Sequence, residues 1–193
     1  MAEPVAETER LRLRTWEPKD RQKFVRHLNI PSVMRWLGGV QDEPAYTAAF
    51  DRWQALQRDY GHTFWIVERK RDDELLGFCG LKRVNSPGGE ALHGAFEIGW
   101  RLREDAWGQG YAKEAAIASL DLAFGRYHAP FVFALTVPGN TESQGLMVRL
   151  GMIRRPDLDF VGQFVPGSGS EVFTVVHRID AADWSTARAT ALR

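Results

Sequence analysis

Residues 107–125 read WGQGYAKEAAIASLDLAFG, and the fold turns on what they form. Two glycines separated by one residue open the stretch, and an amphipathic pattern follows at once. Ala116, Leu120, Ala123 and Phe124 share a face that Lys113, Glu114 and Asp121 avoid. The pattern predicts a tight loop feeding a helix, with Gly125 just past its end. The first turn of a helix presents backbone N–H groups with no intrahelical partner, and the aligned peptide dipoles place partial positive charge there. Glycines let that backbone approach a bulky anion, so the corner reads as a phosphate site.

The neighbours of this corner give it a setting. Residues 63–68 (TFWIVE), 75–81 (LLGFCGL) and 95–102 (AFEIGWRL) are apolar, aromatic and β-branched, with a charged turn at 70–73 that makes the first two a hairpin. Residues 130–137 (PFVFALTV) form a short apolar run reached directly from the helix. Strand, loop, helix and strand make a βαβ unit, which calls for parallel pairing. Nearer the start, Leu11 and Leu13 alternate with Arg10, Arg12 and Arg14 as an opening strand. A helix follows that carries Phe24, Val25 and Leu28 and stops at Asn29 and Pro31. A short link with Trp36 leads to Gly38 and Gly39, and a second helix is expected over 43–60, with Ala49, Phe50, Trp53, Leu56 and Tyr60 in one stripe. Further on, Thr141 with Gln144 fits a capping box and Gly151 fits a helix end. Strands are expected over 160–164 and 171–179, joined through residues 166–169 (PGSG), and 180–193 reads as a short terminal helix anchored by Trp184.

With 193 residues and no linker-like stretch, the chain is expected to form one domain over 1–193. Lys plus Arg equals Asp plus Glu at 25 each, which gives no support to a nucleic-acid partner. Cys79 is the single cysteine, so an internal disulfide is excluded and a thiolate zinc site has too few ligands. The five histidines show no metal-ligand spacing, and no metal is expected. Residues 1–16 lack the apolar run of a secretory signal, and no run approaches the ~18 apolar residues of a membrane span. A cytoplasmic protein without membrane association is the expectation.

Two common phosphate motifs fail here. A nucleoside-triphosphate loop needs lysine and a hydroxyl residue after its last glycine, where this chain has Tyr111 and Ala112. A dinucleotide fingerprint needs a small residue three positions past Gly110, where Lys113 stands. A glycine pair that merely turns a strand into a helix is the plainer alternative.

Residues 97–115 (EIGWRLREDAWGQGYAKEA) resemble motif A of the GNAT acyltransferase superfamily. Residues 140–152 (NTESQGLMVRLGM) resemble the second signature of its RimJ/RimL-like branch. Residues 8–20 (TERLRLRTWEPKD) and 33–39 (VMRWLGG) look like the same branch, so the likeness covers nearly the whole chain. It implies an α/β (α+β) GNAT fold: a central mixed, mostly antiparallel sheet of six to seven strands, flanked by helices and splayed at a cleft for acyl-CoA. It implies acetyl-CoA as donor, with pantetheine along Trp100, Arg101 and Leu102 and the pyrophosphate on the amides of Trp107, Gly108, Gln109, Gly110, Tyr111 and Ala112. Asn140 is a further cofactor contact by the same resemblance, with an ordinary turn asparagine as its alternative. Members carry Gln or Arg where this chain has Asp105, an acid that must point away from a pyrophosphate or cap the helix.

Acetyl transfer to an amine needs a neutral amine, a donor for the oxyanion and an exit for the thiolate, and holding both partners together supplies much of the rate. Glu97 is the candidate base, on a strand face shared with Gly99; an exposed polar-face residue is its alternative. The tyrosine that many members use to protonate the thiolate is replaced by Met147. In the resembled branch that role falls to the serine of Asn-x-x-Ser, here Ser143, which equally suits helix capping. A thiolate with a pKa near ~8.5 for a simple cysteine needs little help in leaving. Trp36 is a candidate for the acceptor pocket. The acceptor itself stays open among a protein N-terminus, a polyamine, an aminoglycoside-like drug and an amino acid analogue, for a monomer or homodimer. A sensor module that binds acyl-CoA without turnover is the rival reading.

Overall fold

The leucine and arginine alternation of residues 10–14 becomes strand β2 (Leu11–Arg14), with both leucines fully buried. In the computed structural model, which describes residues 2–163 and 171–193, β2 pairs antiparallel with β1 (Pro4–Glu7) and β3 (Phe64–Arg69). The predicted hairpin is present as β3 with β4 (Glu74–Arg83). Strand β5 (Phe96–Leu102) and helix α4 (Tyr111–Asp121) follow, then β6 (Phe131–Thr136). Two compact units emerge: Met1–Lys82 with Gly99–Ser119, and Arg83–Ile98 with Leu120–Arg193. The chain passes between them inside β5 and inside α4, so no linker separates them.

In the first unit the strand order is β1-β2-β3-β4-β5. Helices α1 (Asp20–Leu28), α2 (Pro31–Met34) and α3 (Glu43–Tyr60) carry its other elements. Helix α3 has the expected limits because each end is chemically marked. The Asp42 side chain accepts the Ala45 N–H at 3.0 Å, a proline occupies the first turn, and Gly61 closes it at φ +71°. The core is aromatic: Trp16 stacks on Trp53 at 4.8 Å, Phe64 on Phe78 at 5.0 Å, and Phe24 and Phe50 meet Trp16 edge-on. Gly77 allows β4 and β5 to touch, since a Cβ there would stand 2.0 Å from the Arg101 carbonyl oxygen.

In the second unit the order is β5-β6-β9-β7, with β7 (Ile153–Arg154) and β9 (Val172–Asp180), while β8 (Phe160–Gly162) pairs with β9. The expected parallel pairing holds, with Phe96 opposite Val132 and Glu97 opposite Phe133. Strand β9 runs antiparallel to β6 from Phe131↔Asp180 to Thr136↔Val175. Helices α5 (Thr141–Arg149) and α6 (Ala181–Ala191) complete it. As expected, Trp184 anchors α6: its indole N–H and the Arg188 guanidinium both reach Asp121, at 2.9 and 2.8 Å.

The fold class is the one expected, a mixed α/β sheet flanked by helices, and four local readings are corrected. Nine strands, rather than six or seven, occur among the described residues, because β1 and the two-residue β7 are too short to leave a periodic signal. The link after Pro31 is helical, as proline suits the first turn of a helix. Gly125 does not end its helix but lies within a π-helical turn, Leu122–Arg126, that continues α4. Helix α5 is capped one residue earlier than expected, by Asn140, whose side chain accepts the Ser143 N–H at 3.2 Å. Phe164 and the link at 166–169 lie outside the described residues.

Candidate active site

Within the first unit, Gly99 to Leu102 of β5 form the edge strand beside β4. The Arg103 N–H donates to the Leu76 carbonyl at 2.8 Å, and the Arg101 carbonyl faces Gly77, so both residues turn their backbone to β4. Alternation then turns the backbone groups of Trp100 and Leu102 to the opposite edge. The Leu102 carbonyl accepts the Trp107 indole N–H at 2.8 Å.

After a 3₁₀ turn at Glu104–Ala106 the chain runs through Gly108 at φ +70° and Gly110 at φ +80° into α4. Both values lie in the left-handed region that glycine adopts without strain. The Glu114 N–H to Gly110 carbonyl contact, at 3.1 Å, joins α4 to the loop, and the amides of Tyr111 and Ala112 precede it with no carbonyl of their own helix to reach.

The side chains here are drawn aside. Gln109 folds back, its Nε2 donating to the Asp105 carbonyl at 2.7 Å. Asp105, the acid that departs from the resembled motif, is held by Arg103 through two bonds of 2.6 and 2.7 Å, which keep its carboxyl below its ordinary value. Tyr111 is buried with its ring under the Arg10 guanidinium at 4.6 Å. Trp107 is spent on Leu102.

Arg10 is the residue that sequence reasoning missed. Its Nη1 donates to the Gln109 carbonyl at 3.0 Å, and its Nε and Nη2 each lie 2.6 Å from the Glu114 carboxylate. Glu114 also accepts the Thr8 hydroxyl at 2.6 Å and the Arg10 amide at 2.9 Å. Burial pushes the Glu114 carboxyl up, but the bonds from Thr8 and Arg10 outweigh it and the net shift is downward. The negative charge of α4's first turn is thereby matched by a cation at the mouth of the loop. No local pattern pointed to this, because Arg10 alternates in the sequence just as Arg12 and Arg14 do.

The remaining expected residues lie as follows. Trp36, in the first unit, is partly buried, with Arg35 over its ring at 4.9 Å and its indole N–H buried without a partner. Glu97, Asn140 and Ser143 belong to the second unit. Glu97 is buried rather than exposed. The Asn140 oxygen is occupied in capping α5, and Ser143 sits in the turn that it caps. Cys79 is buried at 3.4 Å from the Ser119 hydroxyl, and burial pushes its thiol up to about 12, which removes it as a nucleophile. Among the described residues no group of three or more His, Cys, Asp or Glu is placed to hold a metal ion, and no helix is long and apolar enough to cross a membrane. A cavity of about 470 Å³ in the second unit, beside Phe131, Phe133 and Arg178, is lined by none of the expected site residues.

After its fifth strand the mixed sheet leads into a helix entry opened by two glycines in the left-handed region. Residues 10–153 match the family model described as an acetyltransferase (GNAT) domain. The Bacillus subtilis protein YkkB is 36% identical over 147 residues, covering 75% of this chain and 83% of that protein. The uncharacterized N-acetyltransferase p20 of Bacillus licheniformis is 28% identical over 144 residues, covering 72% and 77%. The crystal structure of an acetyltransferase from Agrobacterium tumefaciens superposes with a TM-score of 0.74 at 27% identity, over 93% of this chain and 95% of that one. The chain belongs to the GNAT acetyltransferase family.

Proposed function

We propose that the protein is an N-acetyltransferase of the RimJ/RimL-like branch that moves the acetyl group of acetyl-CoA to a primary amine, by direct attack in a ternary complex in the cytoplasm. The observation that most supports this is the loop at Gly108 and Gly110, where the Trp107 indole and the Gln109 amide bond to backbone carbonyls, Tyr111 packs under Arg10, and the first amides of α4 lack partners in their own helix. Those amides and the helix dipole suit the pyrophosphate of the donor. The backbone of Trp100, turned to the edge away from β4, suits the amide groups of pantetheine.

The chemistry then needs few groups. Glu97, by its carboxylate, takes the proton of the amine directly or through water. A β5 amide near it donates to the oxyanion. Asn140 and Ser143 keep the roles given by the family resemblance, a cofactor contact and a hydrogen bond to the departing thiolate. No metal enters this scheme.

The test has two stages. Acetyl-CoA at about 100 times its Kd should stabilise the fold by about 2.7 kcal/mol and raise Tm accordingly; an unchanged Tm at saturation would overturn the donor assignment. Release of free thiol from acetyl-CoA should then depend on an added amine. Binding without release across a broad amine panel would replace the enzyme by a sensor.

A further inference from the structure

The first unit treats two of its arginines differently: Arg14 is buried and Arg101 is half-buried. Arg14 is surrounded by carboxylate: Nη1 and Nη2 meet Asp20 at 2.8 Å each, and Nε meets Glu68 at 2.7 Å. Arg101, on β5, has no such partner. Its Nε is shielded from solvent and makes no hydrogen bond, and no carboxylate among the described residues is paired with it. Its guanidinium instead lies against two rings, 5.1 Å from the centroid of Phe78 and 5.9 Å from that of Phe24.

Tyr46, on α3, is 2% exposed, and its hydroxyl is a second buried donor without a partner. The two groups feel each other's charge. Burial brings Arg101 down to about 10 and pushes Tyr46 up to about 12, so at neutral pH one remains a cation and the other a neutral O–H donor.

A half-buried guanidinium whose shielded Nε has no partner is a costly arrangement, and aromatic faces offset only part of the cost. Arg14 shows that this chain supplies acids where an arginine has a structural task. Arg101 therefore keeps donor capacity that no group of the described chain fills. A guanidinium fork matches a planar carboxylate through two parallel bonds. One cation and one neutral phenol balance a single negative charge, which favours a carboxylate over a phosphate dianion. By strand alternation Arg101 shares its face of β5 with Gly99.

We propose that Arg101 and Tyr46 form a carboxylate-docking site, and that the acceptor is an amine that also carries a carboxylate, as free amino acids do. The word acceptor rests on the acetyl-transfer reading above; the docking site does not. The assignment sets polyamines and aminoglycosides, which carry no acid, outside the substrate class.

The test compares acids with their own amides. N-Acetylglycine, N-acetylalanine, N-acetylaspartate, N-acetylphenylalanine and N-acetylarginine, each against its carboxamide, are titrated while Tm is followed. At least one acid should raise Tm by about 2 °C more than its amide. Arg101→Met should erase that difference, and Tyr46→Phe should reduce it while keeping the acetyl-CoA shift. Removing a shielded, unpaired Nε from a half-buried side chain should also leave Arg101→Met without ligand at least as stable as the parent, which guards against simple misfolding. In turnover, Arg101→Met should raise KM for the amino acid about 100-fold, the size expected when a charge-assisted pair is lost. Equal stabilisation by acids and amides, or a difference that persists in Arg101→Met, overturns the docking site. If acetyl-CoA fails to stabilise the parent protein, the transferase reading falls, and the acid and amide comparison still decides this one.

Discussion

Gly110 carries the sharpest single-residue demand in the donor loop. It holds φ +80°, and the Arg10 Nη2 lies 3.4 Å from where a Cβ would stand. A β-branched residue there meets a left-handed backbone that costs about 1–2 kcal/mol and also crowds the guanidinium. We expect Gly110→Val to fold yet lose the Tm shift given by acetyl-CoA; a variant that keeps the full shift would place the pyrophosphate elsewhere. The two glycines were legible because glycine takes left-handed positions before a helix without strain. Arg10 was not legible, for it meets Glu114 across 104 positions of chain. Nor could residue type alone separate Arg14, enclosed by Asp20 and Glu68, from Arg101, stacked on Phe24 and Phe78. Periodicity tells that a residue is turned inward, not whether a partner waits there.

At the level of elements, α4 is tied down at both ends by carboxylates. At its start, the depressed pKa of Glu114 means that its contribution is full above the ordinary carboxylate value, about 4.3, and is lost as pH falls through the lower folded value. The urea midpoint should therefore decline on acidification below that point, and Glu114→Gln should decline less steeply; identical slopes would deny Glu114 the role. At its end, Asp121 receives Trp184 and Arg188 of α6, and Asp121→Ala should cost about 1–2 kcal/mol in urea unfolding. A loss below the error of the measurement would show that α6 is held by apolar packing alone. Helix α3 could be read to its limits because Asp42, a proline and Gly61 mark them in the sequence. The end of α4 could not, since a glycine that suits a helix stop also fits inside a π turn, and only the surrounding packing selects between the two.

Across the whole molecule, the order of strands and helices was readable because hydrophobic period and turn chemistry agree along most of the chain. The two compact units were not, since their boundary falls inside β5 and α4, where composition does not change. That continuity favours a single cooperative transition, with near- and far-ultraviolet signals coinciding in urea; separated midpoints would mean that one unit melts before the other. Cys79 offers a way to watch such openings one molecule at a time. It is the chain's single thiol, fully buried on β4 and held in its unreactive protonated form. A disulfide reagent added to the resting protein is consumed only by molecules whose β4 has come undone, so the slow colour that precedes substrate addition is a clock for exposure of the first unit's core.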